Sequence, residues 1–292
     1  MNILVIGFHT NEKFMAKKRA RKLIEKYKNV IIFHVALCYN HHHYLFWNNI
    51  QIEHLQMSDH KQAYYLLIHL VSTLQKTFRL ITFWGHGGGP VFGSKSLILS
   101  AYDFAKPLLN HKISSFLLWL EGCNLGNIIT LLDCYKISQY MVGVSNSYGG
   151  NTVISHLSHL ELDTKKQMIG SFKKICKIMD PLHTYCYFIY KTKHTPLLID
   201  YLSSVELSSL SWEEKNIKKK ELNVYNLSHI SPDPKLHLIL DKLIAFNGKK
   251  CFLNIDKFIY SKIYAESLRN TYYKILNKNS KKFYISQPQS YE

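Results

Sequence analysis

Leu80-Ile81-Thr82-Phe83-Trp84-Gly85-His86-Gly87-Gly88-Gly89-Pro90 carries a strand-forming run straight into a glycine-rich segment with a single histidine at its start. A short, nearly continuous apolar run reads as a strand covered on both faces, as in a parallel sheet, because a half-exposed strand would alternate. The glycines let the backbone turn tightly and come close to a ligand. His86 therefore belongs at the mouth of a sheet. The segment is not a phosphate cradle of the GxxxxGK[ST] type, since no lysine follows at the required place.

Similar runs lie on either side. Residues 3–7 and 30–37 precede this strand, residues 116–120 and 141–144 follow it, and residues 185–190 are a sixth candidate. Segments suited to helices separate them, at residues 12–28, 61–76, 101–109 and 126–136. Alternating strands and helices predict right-handed crossovers with helices on both faces of a mostly parallel sheet, an α/β architecture. In such sheets ligands bind beyond the carboxyl ends of the strands. The alternation fades after about residue 160, and beyond Asp200 the chain reads as mainly helical, with a strongly charged stretch at residues 212–222, a break at Pro232 and Pro234, and helical candidates at residues 236–246 and 256–276. The expected organisation is a domain over residues 1–200, then a basic, mainly helical region over residues 201–292 ending in a loose tail from Ser280.

The strand at residues 116–120 runs into Glu121-Gly122-Cys123-Asn124-Leu125-Gly126-Asn127. Alone, Cys123 reads as an inert buried thiol and His86 as a packed histidine. Together they read differently, because neighbouring parallel strands bring both to one edge of the sheet. A histidine beside a thiol acts as its base or holds the thiolate as an ion pair.

An apolar strand ending in His86-Gly87, followed by a second ending in Glu121-Gly122-Cys123, resembles the cysteine peptidase superfamily of caspases, legumain, gingipain, separase and clostripain. The resemblance covers roughly residues 1–155, and glycine stands in the small position before the cysteine, where legumain has alanine. It implies a caspase-like αβα sandwich and a cysteine endopeptidase with a His86–Cys123 dyad. It implies an oxyanion hole formed by the backbone amides of Gly87 and Cys123. It also places substrate-binding residues at Ser145, Asn146, Ser147 and Tyr148, and at Glu121, whose carboxylate would favour Arg or Lys at P1. No cofactor and no metal are implied, and the partner is a protein or peptide substrate.

Two other readings compete. One is the self-processing protease domain of bacterial toxins, activated by inositol hexakisphosphate, which the basic charge would suit. The other is a catalytically silent module of the same fold that binds nucleic acid or an acidic surface, drawing on interleaved residues such as Tyr260, Lys262, Tyr264, Tyr272, Tyr273 and Lys274.

The composition is globular, with 47% hydrophobic and 20% charged residues among 292. Thirty-seven Lys and Arg against 20 Asp and Glu give a net charge of +17, which predicts weak, non-specific polyanion binding. The six cysteines form no close CxxC pair, which argues against a disulfide framework or a zinc ribbon. With no cleavable signal peptide and no membrane-length apolar run, the expected location is the cytoplasm or another reducing compartment, with delivery into another cell left open. The oligomeric state is not legible. His41-His42-His43 reads as a polar loop.

Overall fold

A computed structural model describes residues 2–9, 30–87, 91–94, 97–122, 125–144, 160–161, 163–179, 187–204, 221–224, 234–247 and 255–259. The candidate helix at residues 12–28, most of the charged segment at residues 212–222 and the tail lie outside them.

Nine strands form the main sheet: β1 (Asn2–His9), β2 (Ile31–Cys38), β3 (His42–Trp47), β4 (Ile50–Gln56), β5 (Thr77–Trp84), β8 (Ser114–Glu121), β9 (Ser138–Val144), β10 (Tyr187–Lys191) and β12 (Ile244–Asn247). Their order is β12-β10-β9-β8-β5-β1-β2-β3-β4. The five central strands β9, β8, β5, β1 and β2 are parallel. Two antiparallel strands extend the sheet on each side. A hairpin of β6 (Val91–Ser94) and β7 (Leu97–Ser100) stands apart, as does a pair of β11 (Glu221–Val224) and β13 (Ile255–Ile259).

Alternation along the central strands divides the core in two. Leu4 and Ile6 of β1, and Leu118 and Leu120 of β8, face one layer. It is closed by α1 (His60–Leu74), α2 (Ala101–Asn110), α3 (Ile128–Cys134), α5 (Thr195–Ser204) and α6 (Pro234–Leu243). Ile3 and Val5, with Leu117 and Trp119, face the other layer, where Met168, Phe172 and Ile175 of α4 (Lys165–Met179) cover them. Both faces are thus buried, which is why these strands read as continuous apolar runs.

Local chemistry sets the helix starts. Asp59 caps α1 by accepting from the Gln62 amide at 3.0 Å, and Ser100 caps α2 by accepting from the Asp103 amide at 3.0 Å. The Asp103 carboxylate also accepts from Tyr65 at 3.2 Å and pairs with Lys61 at 2.7 Å, tying α2 to α1.

The chain beyond residue 200 contributes to this same body: α6 packs on the first layer and β12 pairs with β10 at the sheet's edge. The helical candidate at residues 236–246 is a helix only to Leu243, after which Ile244–Asn247 is strand. In the 256–276 candidate the described residues, up to Ile259, are strand as well.

The histidine run differs from the expected loop. His42 and His43 open β3, which turns through Asn48 and Asn49 into β4. His43 is buried. Its Nδ1 accepts from the Cys38 amide at 3.2 Å, so its proton lies on Nε2, which donates to the Met57 carbonyl at 3.0 Å; His60 Nδ1 is 3.2 Å away. Burial foremost, with the neighbouring histidines, lowers its pKa from 6.5 to about 4, against the Met57 bond that raises it. Above pH 6.5 folded and unfolded chains both hold this ring neutral, so nothing is lost. As pH falls toward 4 the unfolded chain binds a proton that the folded chain refuses. Stability should therefore drop by up to about 3 kcal/mol across that window. Urea unfolding at pH 7.5 and 4.5 should show this slope in the native chain and a flatter one in His43→Gln; equal slopes would remove His43 as the cause.

Candidate functional site

The parallel strands β5 and β8 are in register, with Phe83 opposite Leu120 and Trp84 opposite Glu121. They end together at one edge, as parallel neighbours starting level must. The Gly85 amide donates to the Glu121 carbonyl at 3.4 Å, carrying the contact one residue past β5.

His86 follows, with its side chain exposed. Its backbone is fixed by the β6–β7 hairpin: the Gly93 amide donates to the His86 carbonyl at 2.7 Å, and Gly87 bridges Phe92. That bond uses the His86 carbonyl and not the Gly87 amide. Gly93 is glycine of necessity, with φ of +98° and a Cβ position only 2.0 Å from the Leu97 carbonyl oxygen. The hairpin was not read from the sequence. Its signal was present in Val91-Phe92-Gly93-Ser94 and Leu97-Ile98-Leu99-Ser100, two short apolar runs separated by two residues.

Gly122 leaves β8 against this loop. A Cβ there would lie 3.1 Å from the Gly85 carbonyl oxygen, 3.2 Å from the Gly87 nitrogen and 2.7 Å from a Leu125 methyl. Glycine at this position thus leaves room for the close approach of the histidine loop, where alanine would be borderline. Cys123 and Asn124 lie outside the described residues, and so do Ser145, Asn146, Ser147 and Tyr148. The segment that follows is well held. The Leu125 amide donates to the Gly122 carbonyl at 3.5 Å, Tyr190 donates to the Gly126 carbonyl at 2.5 Å, and Asn127 caps α3 by accepting from the Thr130 amide at 2.8 Å.

Glu121 is buried, at 5% exposure, and its register with Trp84 puts it on the face of the sheet that α4 covers. Cys38 is fully buried and its thiol is pushed up to about 12 by desolvation, so it holds almost no thiolate at neutral pH. Cys134 packs into the core on α3. Among the described residues no group of three or more histidine, cysteine or carboxylate side chains is placed to hold a metal ion. No helix among them is long and apolar enough to cross a membrane.

No protein-family model matches the chain, and no curated protein matches it in sequence. Solved structures do. A secreted C11 cysteine protease from Bacteroides thetaiotaomicron, iotapain, aligns with a TM-score of 0.59 at 10% identity, over 84% of this chain and 85% of its own. A structure described as a secreted C11 cysteine protease from the same organism, bound to an irreversible peptide inhibitor, aligns with a TM-score of 0.62 at 9% identity, over 94% and 98%. An inactive zymogen C11 protease from Parabacteroides distasonis aligns with a TM-score of 0.59 at 9% identity, over 94% and 97%.

The expected reducing compartment is corrected by these neighbours, two of which are described as secreted. The absence of a close CxxC spacing was a poor guide to location. A chain of this size buries enough apolar surface to do without disulfides, and core thiols such as Cys38 and Cys134 are shielded from oxidants by packing. The likeness spans nearly the whole chain rather than its first 155 residues, and on that extent the protein has the fold of these C11 cysteine proteases.

Proposed function

We propose that the protein is a cysteine endopeptidase in which His86 and Cys123 form the dyad, with a preference for Arg or Lys at P1. The observation that carries this reading is the approach of Gly122 to Gly85 and Gly87, with a Cβ position 3.1–3.2 Å from their backbone atoms. Cys123 is bonded to Gly122, so the approach of Gly122 to the loop that carries His86 supports their pairing. The exposure of His86 at the carboxyl edge supports a group that must meet a substrate from solvent.

In the proposed mechanism Cys123 Sγ attacks the scissile carbonyl carbon. His86 holds the thiol proton and delivers it to the leaving amine, and water then hydrolyses the thioester. The oxyanion is stabilised by donors fixed before reaction, the Gly87 and Cys123 amides. Anchoring of the loop through the His86 carbonyl supports that role for Gly87, because the hydrogen bond to the hairpin sets the loop without engaging the Gly87 amide. An extended peptide is the natural substrate form, and one neighbour is described with a peptide inhibitor bound.

The preference for a basic P1 rests on Glu121, two residues before Cys123 and shielded from water, where a carboxylate gains most from a cationic partner. The test is kcat/KM for matched peptides with Arg, Lys, Asn, Asp or Leu at P1, in the native chain and in Glu121→Gln. Arg and Lys should lead, and Glu121→Gln should cut their advantage roughly tenfold to a hundredfold, the worth of a charge-assisted bond. Preference for Asn, Asp or Leu would overturn the basic pocket while leaving the dyad standing.

A further inference from the structure

We propose that Tyr190 is a positioning residue for hydrolysis: with Gly143 it clamps residues 125–127, which follow the nucleophile, and so holds Cys123 and its amide in place. The proposal rests on the reading of Cys123 above. It extends that reading to two strands, β9 and β10, that carry neither member of the dyad.

The Tyr190 hydroxyl donates to the Gly126 carbonyl at 2.5 Å, across 64 positions of sequence. Tyr190 is fully buried, and burial raises its pKa, so the hydroxyl keeps its proton and stays a donor at neutral pH. Gly143, on the neighbouring strand, meets the same segment. A Cβ there would lie 2.7 Å from the Gly126 Cα, 2.8 Å from the Gly126 nitrogen and 3.0 Å from the Leu125 carbonyl carbon. All three are backbone atoms, so no rotating side chain could relieve the contact. Asn127 adds a third hold through its cap on α3.

The consequence for Cys123 follows from chain connectivity. Before it, Gly122 lies against Gly85 and Gly87; after it, Leu125 and Gly126 lie against Gly143 and under the Tyr190 hydroxyl. The Leu125 amide donates back to the Gly122 carbonyl at 3.5 Å, across the two residues between. The proposed nucleophile and oxyanion donor therefore belong to a short span fixed at both ends. On the histidine side the β6–β7 hairpin anchors the loop through the His86 carbonyl, and on the cysteine side β9 and β10 supply the matching anchor. A displacement near 1 Å at such a site lowers rates about a hundredfold, so a lost anchor should be read in the chemical step.

Tyr190→Phe tests this, since it keeps the ring and its stacking on Phe188 at 5.8 Å and removes only the hydroxyl. Tyr64→Phe is the matched control. Its hydroxyl is also fully buried and donates to a backbone carbonyl, that of Phe104 at 2.9 Å, but it joins α1 to α2. Both variants should lose Tm alike, each leaving a carbonyl without its donor. Tyr190→Phe should lower kcat about tenfold or more with KM within about twofold, and slow labelling of Cys123 by the same factor, whereas Tyr64→Phe should leave these rates within about twofold. Gly143→Ala, pressing on the segment from the next strand, should also lower kcat. Hydrogen exchange in a peptide covering residues 118–130 should be faster in Tyr190→Phe than in Tyr64→Phe. A kcat loss smaller than tenfold in Tyr190→Phe, or an equal loss in Tyr64→Phe, overturns the positioning role. A native chain that hydrolyses no peptide and takes no label at Cys123 overturns the dyad instead, and the exchange comparison then decides the clamp by itself, equal rates overturning it.

Discussion

Cys123→Ala should abolish peptide hydrolysis and covalent labelling by an acyloxymethyl ketone, while the protein remains folded. If Cys123 supplies the attacking sulfur, neither cysteine whose side chain is described can replace it. Cys38 and Cys134 are sealed in the core, and the Cys38 thiol is held protonated by burial. His86→Ala should retain a little activity, because the thiol still ionises slightly, and should lower kcat/KM by several orders of magnitude, with proton transfer to the leaving amine lost. The check is single-turnover kinetics together with mass mapping of the labelled peptide. Hydrolysis unchanged in purified Cys123→Ala would end the dyad assignment, whatever the fold. Labelling that persisted on another cysteine would name a different nucleophile.

Gly122→Val is expected to be nearly as damaging, though it removes no reactive atom. Even one added carbon would sit 3.1 Å from the Gly85 carbonyl oxygen and 3.2 Å from the Gly87 nitrogen, and those are backbone atoms that cannot swing aside. The Leu125 methyl at 2.7 Å can rotate away, so alanine is borderline and valine is not. Overpacking of this kind costs about 1–3 kcal/mol, relieved by moving the histidine loop away from β8. A displacement near 1 Å at a catalytic pair lowers rates about a hundredfold. We therefore expect kcat to fall by about that factor in Gly122→Val and much less in Gly122→Ala, with thermal unfolding reporting the packing cost separately. Full kcat in Gly122→Val would show that the contact does not position the dyad.

The central strands were legible because parallel strands buried on two faces carry few polar residues, His34 and Thr82 being the exceptions within the expected runs, and the observed β1, β5, β8 and β9 contain those runs while β2 contains all but Val30. The hairpin of β3 and β4 was missed for a definable reason. Its polar histidines suggested a loop, whereas His43 is buried and satisfied by the Cys38 amide and the Met57 carbonyl. The stronger signal was Asn48-Asn49 between Trp47 and Ile50: both asparagines adopt positive φ, 46° and 70°, as a two-residue hairpin turn with the matching twist requires. The strand at residues 244–247 was illegible because it continues directly from a helix and its four residues fit either period. At the candidate site, the positions of His86 and Glu121 at strand ends could be read from the chain. The reason for glycine at position 122 could not, since it depends on a loop brought alongside by the fold.

The edge strand β12 has a consequence for how the protein is made. β10 carries Phe188, Ile189 and Tyr190, all buried once the sheet is complete, and its outer hydrogen-bonding edge is closed by residues 244–247. On the ribosome that edge is synthesised long before its cover. At about 5–20 residues per second the aromatic strand waits several seconds for its partner. During that interval the nascent chain presents an unpaired, apolar strand to any other chain emerging nearby, which makes this edge the natural place for a holdase chaperone to act.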